Sequence, residues 1–450
     1  MEDVYRYIEE HLPATLEELR RLVEQPSVSA QNVGIQETAS LVVQMLREHG
    51  FETRLLNGHK GNFPVVYGEL RGASPKTLLF YNHYDVQPPE PLELWTTPPF
   101  KLAAYDEYVR ARGVSDNKGD IVARLAAIKA IKATRGELPV SIKFFIEGDE
   151  EVGSPHLEEF TREHGPLFQA DACLWEGGEV NWGGQPVIQL GLKGIMCLDL
   201  DVETADRDAH SSMATVVPNA IWRLVWALST LKDREENILV EGFYDSVAAP
   251  TAEETAALDA IPPEEDKLRE SMGLKAFLQN LSGREFWRRH YLAPTINVCG
   301  IIGGYTGEGS KTVLPHLAKA KLDVRLVPNI EPEDIAAKIR RHLDRHGFSD
   351  VKLTLMEGEK AARTPMSSPW VRVMREAARD VYGLEPVVIP NMAGSGPMYC
   401  FTDILGLPVA TSGVGYPECR MHAPDENIRL ADFVKGTKMV AAVIDRFARS

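Results

Sequence analysis

Acidic and imidazole side chains occur in five short motifs of this sequence. The motifs are HYD at 83–85, GVSDNKG at 113–119, EGDEEVGS at 147–154, WEGG at 175–178 and MHAPDE at 421–426. Oxygen and imidazole ligands without thiolate are typical of catalytic sites for zinc, manganese or cobalt, and not of closed structural zinc sites. We therefore expect metal-assisted chemistry, provided that the fold brings these motifs together.

The acidic motif at 147–154 is the most informative of the five. It follows the apolar run VSIKFFIE at 140–147, which predicts a buried strand. Consecutive acids at the end of such a strand repel one another and lose hydration unless a positive charge lies beside them. Of the adjacent pair Glu150 and Glu151, one can ligate a metal while the other accepts a proton from water. A solvated turn is the alternative interpretation.

The other four motifs each allow a structural interpretation when they are taken singly. His83 follows an apolar run and fits either a metal ligand or a core histidine, and Asp85 is placed to accept a hydrogen bond from its second ring nitrogen. Asp116 fits either a carboxylate that bridges two cations or a cap of the following helix. Glu176 and His422, each alone, are better explained as turn residues. Only their joint presence indicates a site.

Strands that alternate with helices are predicted around these motifs. Helices are expected at 35–50, 121–135, 369–382 and 430–448, strands at 77–81, 140–147, 171–175, 386–389 and 408–411, and a Gly-rich turn at 393–396. This alternation predicts a mostly parallel sheet with helices on both faces, in which the strand ends collect the motifs at one edge.

A different pattern begins near residue 193. The predicted order is strand, helix, strand, strand, helix, strand, at 198–203, 217–232, 295–302, 319–327, 332–346 and 351–356. This order is ferredoxin-like. We therefore predict an α/β catalytic domain, residues 1–192 and 359–450, interrupted by an inserted ferredoxin-like α+β domain, residues 193–358, with a partly acidic insertion of its own at 233–294.

The overall composition limits the classes of function. Of 450 residues, 49 are basic and 65 acidic, which gives a formal net charge of −16. Nucleic acids and anionic membrane surfaces require basic patches, so we expect neither as a partner. No run approaches the roughly 18 uncharged apolar residues of a membrane span, and the N-terminus lacks the apolar core of a signal peptide. The five cysteines are scattered without CxxC spacing, which favours a reducing, cytoplasmic location.

In their order along the chain, the five motifs resemble those of the carnosinase/aminoacylase family of two-metal exopeptidases. The resemblance extends over nearly the whole chain and is closest to the carnosinase-like metallodipeptidases. It implies that His83 and Glu176 hold one divalent metal ion, that Glu151 and His422 hold the other, and that Asp116 bridges the two. Zinc is the favoured metal, with manganese and cobalt as alternatives. The resemblance also implies a cis peptide bond after Asp116.

The same resemblance assigns catalytic roles. The residue matching Glu150 is the general base, and Asp85 orients the His83 imidazole. The inserted domain is expected to act as a lid and in dimerisation. Its AHSS segment matches the one whose histidine, here His210, reaches into the partner subunit's site and stabilises the oxyanion. A homodimer is therefore implied.

Further positions resemble the substrate-binding residues of carnosinase-type dipeptidases. The residues matching Thr312 and Arg325 hold the C-terminal end of the substrate there, and Asn297 and Ser395 match further polar positions. The strand pattern agrees, because the apolar neighbours of Arg325 share one face and leave its guanidinium free for a carboxylate on the other. Carnosinases carry a histidine just after the lid, whereas residues 361–370 contain none. Specificity for β-alanyl-histidine therefore stays open.

Together these residues predict a metal-dependent hydrolase that cleaves the amide bond of dipeptides or short peptides with a free C-terminal carboxylate. The expected mechanism uses a metal-activated water, Glu150 as the base and His210 at the oxyanion. The alternative is an N-acyl amino acid deacylase of the acetylornithine or succinyl-diaminopimelate type, which differs only in its pocket. A non-catalytic protein of the same fold is disfavoured, because every expected ligand and the base are present.

Overall fold

The computed structural model describes residues 1–57 and 63–450 of the protein. Numbered along the chain, the helices are α1 (Glu2–Glu10), α2 (Leu12–Val23), α3 (Ile35–Glu48), α4 (Lys118–Arg135), α5 (Leu157–His164), α6 (Ala220–Leu231), α7 (Ala252–Asp259), α8 (Glu265–Ser271), α9 (Gly283–Leu292), α10 (Pro332–Arg345), α11 (Pro369–Tyr382) and α12 (Leu430–Arg449). The strands are β1 (Glu52–Leu56), β2 (Val65–Leu70), β3 (Ser74–His83), β4 (Ala103–Ala104), β5 (Tyr108–Arg110), β6 (Val140–Glu147), β7 (Ala172–Trp175), β8 (Val187–Gln189), β9 (Gly191–Glu203), β10 (Ala209–His210), β11 (Thr295–Gly303), β12 (Val313–Leu314), β13 (Leu317–Leu326), β14 (Lys352–Glu359), β15 (Ala362–Arg363), β16 (Val387–Ile389), β17 (Met392–Ser395), β18 (Val409–Thr411) and β19 (Asn427–Arg429).

Six of these strands form the main sheet, in the order β1-β2-β6-β3-β7-β18. Strands β6, β3, β7 and β18 run parallel to one another, whereas β1 and β2 make an antiparallel edge. The sheet is therefore mostly parallel, and the prediction of a mixed α/β fold is confirmed.

Apolar cores lie on both faces of the main sheet. On one face, Leu78 and Phe80 of β3 belong to the core that includes α4 and α12. On the other face, Leu79 and Tyr81 pack with Phe401 and with residues of α5. Because alternate residues of a strand point to opposite faces, a strand buried on both faces needs a continuous apolar run, as β3 has.

A second, antiparallel sheet contains strands in the order β11-β13-β9-β14, and we call it the inserted sheet. Along the chain its elements follow as β9, α6, β11, β13, α10 and β14, with α7, α8 and α9 between α6 and β11. Leu322, Val324 and Leu326 of β13 are buried in the core that α6 and α10 share with this sheet. The intervening Asp323 and Arg325 therefore face the opposite, open side.

Strand β9 joins the two parts of the molecule. At its beginning, Gly191 pairs with Arg363 and Leu192 pairs with Ala362 of β15, in antiparallel register. Further along, the same strand is the third strand of the inserted sheet. The chain therefore enters and leaves the inserted sheet through two neighbouring strands.

Most predicted elements are present with boundaries shifted by a few residues. The predicted strand 77–81 is the centre of β3, and the helix predicted at 121–135 begins earlier, at Lys118. The Gly-rich turn predicted at 393–396 is wrong, because Met392–Ser395 form β17, which pairs in parallel with β9. Pairing with a neighbouring strand has outweighed the preference of glycine for turns.

Among residues 1–57 and 63–450, no helix is both long enough and apolar enough to cross a membrane. All five cysteines have free thiols, with Cys173, Cys400 and Cys419 buried and Cys299 exposed.

Candidate metal centre and active site

Three of the five motifs lie at the carboxyl ends of neighbouring strands of the main sheet. His83 is the last residue of β3, Glu147 is the last residue of β6, and Glu176 directly follows β7. His83 and Glu147 are also partners in the parallel ladder between β3 and β6. Since β6, β3 and β7 are adjacent and parallel, their carboxyl ends bring these side chains to one edge, as expected of sites in open α/β sheets.

Asp116 lies between two histidines and offers one carboxylate oxygen to each. Its Oδ1 is 3.0 Å from Nε2 of His83, and its Oδ2 is 2.9 Å from Nε2 of His422. Behind each histidine lies a glutamate: Oε2 of Glu176 is 3.3 Å from His83 Nε2, and Oε2 of Glu151 is 3.2 Å from His422 Nε2. The five predicted metal ligands therefore form two groups that share Asp116.

The donor atoms of this cluster suit divalent cations. Oε2 of Glu176 is buried and has no hydrogen-bond partner among the described residues, which leaves a costly unpaired acceptor unless a cation is bound there. Imidazole nitrogens and carboxylate oxygens are the ligands that zinc, manganese and cobalt accept in catalytic sites. Grouped by mutual distance, His83, Asp116 and Glu151 offer ligand atoms that all lie within 4.8 Å of one another. The cluster therefore fits the metal ions that its motifs imply.

The electrostatics of the cluster also favour positive charge. Burial by itself would lower the pKa of His83, but the carboxylates of Glu176 and Asp116 raise it well above its ordinary value. Hydrogen bonds to Asp116 and Glu151 raise the pKa of His422 to about 10. The pKa of Asp116 is lowered despite its burial, because both histidines lie against it. The acidic side chains thus favour positive charge on both imidazoles, and bound metal cations would supply the same positive charge.

Glu150 lies in the same cluster but makes a different set of contacts. It begins a short 3₁₀ turn, Glu150–Val152, after β6. One of its carboxylate oxygens is within 4.8 Å of ligand atoms of both His83 and Glu176. Burial raises the pKa of Glu150 to about 8, and the positive His83 opposes that rise. A carboxyl group of this kind can take up and release a proton near neutral pH.

Asp85 lies beside His83, as predicted, and also contacts the acidic turn after β6. The second ring nitrogen of His83, Nδ1, is 3.0 Å from the backbone carbonyl oxygen of Asp85 and 3.4 Å from its carboxylate. That carboxylate also accepts the backbone N–H groups of Glu150 and Glu151, at 3.3 and 3.0 Å. Asp85 therefore holds two parts of the site. Its carbonyl oxygen contacts the His83 ring, and its carboxylate binds the backbone of the acidic turn at Glu150 and Glu151.

Two residues that hold ligands were missed by sequence reasoning. Gln87 donates its backbone N–H and its side-chain amide to the carboxylate of Glu151, at 3.1 and 2.8 Å. Glu426 was noted only as part of its motif. Its carboxylate accepts the N–H groups of Gly113, Ser115 and Asp116. The position of Gln87, two residues after Asp85, was the only signal in the sequence for its role.

Glu426 also connects the two ends of the site. It forms a buried ion pair of 2.8 Å with Arg112, the residue that precedes the GVSDNKG motif. The loop that carries Asp116 is thereby tied to the segment that carries His422. Within that loop the peptide bond between Asp116 and Asn117 is cis, as the resemblance implied.

Of the predicted substrate residues, Arg325 and Asn297 lie on the inserted sheet, Ser395 lies on β17, and Thr312 lies just before β12. Nη1 of Arg325 donates to Oγ of Ser395 at 2.7 Å, so these two are brought together across the two parts of the molecule. Asn297 donates to Asp323 at 2.8 Å on the same open face. Thr312 directly precedes β12 and is exposed.

His210 is not brought to the metal ligands within one chain. It is exposed in β10, which pairs with β12, and its Nδ1 accepts the backbone N–H of Ser212 at 3.1 Å. In the described ranges, no hydrogen bond or ion pair of His210 reaches the cluster at the strand ends. Its predicted role therefore depends on contacts outside the single chain.

Comparison with known proteins agrees with the motifs. Residues 79–446 match the model of peptidase family M20/M25/M40. A Cys-Gly metallodipeptidase of Schizosaccharomyces pombe is 29% identical over 470 residues, covering 100% of this chain and 98% of that protein. A human beta-Ala-His dipeptidase is 30% identical over 389 residues, covering 84% of this chain and 76% of that protein.

Among solved structures, an M20 family metallo-carboxypeptidase from Sulfolobus solfataricus superposes with a TM-score of 0.90 at 38% identity, covering 97% of this chain and 99% of that one. These similarities extend over both sheets and all five motifs. They confirm the prediction of a metal-dependent peptide hydrolase. The chain therefore belongs to peptidase family M20/M25/M40 and resembles its carnosinase-like metallodipeptidases.

Proposed function

We propose that this protein hydrolyses dipeptides with a free C-terminal carboxylate, with two divalent metal ions bound per subunit. The observation that carries the proposal is the arrangement around Asp116, whose two oxygens each face the Nε2 atom of a different histidine, at 3.0 and 2.9 Å. A carboxylate shared in this way is the expected bridge between two cations. Zinc is the favoured ion, and manganese or cobalt would accept the same ligands.

In this proposal His83 and Glu176 hold one ion, Glu151 and His422 hold the other, and Asp116 is common to both. Glu150 is then left as the base. Glu176 is favoured over Glu150 as a ligand because its Oε2 is only 3.3 Å from His83 Nε2 and otherwise lacks a hydrogen-bond partner.

The chemistry of the ions, when bound, would be to polarise the scissile carbonyl and to acidify a water molecule. The chain itself supplies proton transfer and orientation. Glu150 takes a proton from the attacking water and returns it to the leaving amine. Asp85 holds the backbone of Glu150, at 3.3 Å, so the base is aimed from a fixed turn.

Arg325 is proposed to bind the C-terminal carboxylate of the substrate. It lies on the open face of the inserted sheet, and its contact with Ser395 directs the guanidinium toward the part of the molecule that holds the metal ligands. A guanidinium binds a carboxylate through two parallel hydrogen bonds. Thr312 and Asn297 are proposed as further polar contacts of the substrate. An anchor at this end limits how many residues can follow the scissile bond.

The names of the relatives support peptide substrates over N-acyl amino acids. The S. pombe relative is a Cys-Gly metallodipeptidase and the human one a beta-Ala-His dipeptidase. The Sulfolobus structure is a metallo-carboxypeptidase, which makes removal of a C-terminal residue from a longer peptide the second candidate. Both activities require the same carboxylate anchor, so substrate length is what separates them.

We also propose a homodimer in which residues 193–358 act as lid and dimerisation domain, and residues 1–192 and 359–450 as catalytic domain. Strand β11 is an edge strand, and its Ile301 and Ile302 are 54% and 72% exposed. On the neighbouring helix α6, Trp222 and Trp226 are 58% and 53% exposed. An uncovered apolar edge of this kind suits pairing with a second copy.

Dimerisation would explain why His210 makes no contact with the metal ligands of its own chain. In the dimer, His210 of each subunit would stabilise the oxyanion in the site of the other. The five free thiols support a reducing, cytoplasmic location.

The deciding experiment is a substrate panel measured on protein reconstituted with Zn²⁺, Mn²⁺ or Co²⁺. We expect hydrolysis of dipeptides with kcat/KM well above that of the matching N-acetyl amino acids and of dipeptide amides. Tripeptides and longer peptides that lose only their last residue would favour the carboxypeptidase candidate. Preferential turnover of N-acetyl or N-succinyl amino acids would overturn the proposal.

A further inference from the structure

Arg124 is a completely buried arginine in the middle of α4, beneath the proposed metal site. Its Nη1 donates to the backbone carbonyl of Tyr81 and to Oδ1 of Asn82, both at 2.6 Å. Its Nη2 donates to the backbone carbonyl of Trp175 at 2.5 Å. One guanidinium therefore joins the carboxyl ends of two different strands, β3 and β7.

The acceptors of Arg124 directly precede metal ligands. Tyr81 lies two residues before His83, and Trp175 immediately precedes Glu176. The ladder between β3 and β7 ends one residue earlier, with the pair Phe80 and Leu174. Past that pair, Arg124 bonds the two strands where their own backbone pairing has stopped. Arg124 thus adds a side-chain link between β3 and β7 close to the two ligands, beyond the last backbone pair of these two strands.

Through Asn82, Arg124 is also connected to the loop that carries the bridging ligand Asp116. The amide of Asn82, which accepts from Arg124, donates to Oδ1 of Asn117, the residue after Asp116. Asn117 in turn donates to Asp120 at 2.9 Å. The acceptors that Arg124 contacts directly lie on the strands of His83 and Glu176, and the shared ligand Asp116 is reached only through Asn82 and Asn117.

The other half of the cluster is held by different residues. Gln87 and Asp85 hold Glu151, and the segment of His422 is tied to the Asp116 loop through Glu426 and Arg112. Within residues 1–57 and 63–450, Arg124 makes no direct hydrogen bond to the residues that hold this half. The two halves therefore differ in what positions them.

Burial of Arg124 is difficult to explain by stability alone. A guanidinium removed from water costs several kcal/mol unless a charged partner is hydrogen-bonded to it, and apolar side chains of similar volume are often equally stable. Here the hydrogen-bonded acceptors are neutral, Nε has no hydrogen-bond partner among the described residues, and the carboxylates of Asp120 and Glu176 act on the guanidinium only through their nearby charge. The planar guanidinium carries several N–H donors in a fixed arrangement, so one arginine can bind two strands at once. An apolar side chain cannot do this.

We propose that Arg124 is a positioning residue that sets the distance between His83 and Glu176, and thereby the affinity of the metal ion held by that pair. The inference rests on the proposed two-metal function. It assigns Arg124 to the ion of His83 and Glu176, because the acceptors that it contacts directly precede only these two ligands.

The test is calorimetric titration of metal-free protein with Zn²⁺. Wild type is expected to bind two ions. In Arg124→Met we expect one ion to bind about 10- to 100-fold more weakly, as is typical for loss of groups that orient ligands, and the other ion to bind as in wild type. Arg124→Lys keeps the charge without the planar guanidinium, so it should weaken the same ion by less.

A background variant identifies the affected ion. His422→Ala removes a half-exposed ligand and should leave the ion of His83 and Glu176 as the tight one. Adding Arg124→Met to this background should weaken that remaining ion. Lys193→Met is the matched control, because Lys193 is also buried and donates to two backbone carbonyls, of His290 and Ala293, at 2.8 and 2.6 Å. It should lower thermal stability and leave both zinc affinities unchanged.

Each outcome is decisive. A wild type that binds fewer than two ions overturns the proposed function itself. A wild type with two ions, together with an Arg124→Met protein that binds both normally or loses both equally, overturns the role of Arg124 alone. If Arg124→Met does not fold, Arg124→Lys decides in the same way, since unchanged affinities in that variant would contradict the inference.

Discussion

The acids and histidines at the ends of β3, β6 and β7 contrast with the polar residues on the open face of the inserted sheet. At the strand ends, His83 is fully buried and Glu151 receives hydrogen bonds from Gln87. Asn297 on the inserted sheet and Thr312, just before β12, are exposed. The residues of the first region contact one another within one chain, whereas those of the second region are exposed and available to a substrate or a second subunit.

This difference in burial and hydrogen bonding indicates which steps each region supports: metal binding and chemistry at the strand ends, and substrate binding and assembly on the inserted sheet. A cluster in which His83, Glu151 and the backbone of Asp116 are held by neighbouring residues is largely preorganised for cation binding. Residues with few partners gain their geometry only when substrate or another subunit is bound. We therefore expect variants at the strand ends to affect metal binding and chemistry, and variants on the inserted sheet to affect substrate binding and assembly.

Glu150→Gln should have the largest effect. Removal of a general base typically lowers kcat by about 10²- to 10⁴-fold. Both metal ions should be retained, because Glu150 is proposed as the base and not as a ligand, and metal content is measured alongside kcat. The exposed Glu52→Gln on β1 is the control. Loss of an ion from Glu150→Gln would instead make Glu150 a ligand, which its distance to His83 and Glu176, within 4.8 Å, permits.

His210→Ala should come next, with kcat lowered by about 10²- to 10³-fold, as for loss of one oxyanion donor. The comparison is sharpest when this variant is mixed with Glu150→Gln after subunit exchange. If His210 acts in the partner's site, each mixed dimer regains one intact site, and activity rises to about a quarter of that of wild type. Mixed dimers without recovered activity would show that His210 does not act across subunits.

Arg325→Met should lower kcat/KM by about 10- to 100-fold, since a hydrogen-bonded charged group contributes roughly 1.5–3 kcal/mol. The loss should appear mainly in KM, and Arg325→Lys should restore part of it. Metal content should stay that of wild type, in keeping with the separation of the two regions. Equal losses on dipeptides and on dipeptide amides would contradict the assignment, because an amide lacks the carboxylate that Arg325 is proposed to bind.

The smallest effect concerns Glu359, at the end of β14. Burial, with the nearby charge of Glu357, raises its pKa from 4.5 to about 7. The folded state therefore loses stability as pH rises from about 4.5 through about 7, where the ionised form becomes dominant. Glu359→Gln should raise Tm by about 2 °C at pH 8 and leave it nearly unchanged at pH 4.5. A shift of equal size at both pH values would contradict this account.

Much of the strand-end region could be predicted from the sequence, because parallel strands bring their carboxyl ends together whatever their order along the chain. His83, Glu150 and Glu176 were found by their position after apolar runs. The helpers Gln87 and Arg124 were not, since amide and guanidinium groups have many possible partners, and the partners here are far away in the sequence. The strand β17 was missed for the same reason, because only its pairing with β9 makes it a strand.

The pairing of Leu192 with Ala362 has a consequence for folding. The entropic cost of closing a loop grows only slowly with the length of the loop. An insertion that has folded with its two ends side by side adds little to the length of flexible loop that the rest of the chain must close. Residues on either side of the insertion, such as Glu151 and His422, then meet almost as if a short hairpin joined them. We therefore expect that residues 193–358 could be replaced by another segment whose two ends lie side by side, and that the order of the metal ligands along the chain would stay the same.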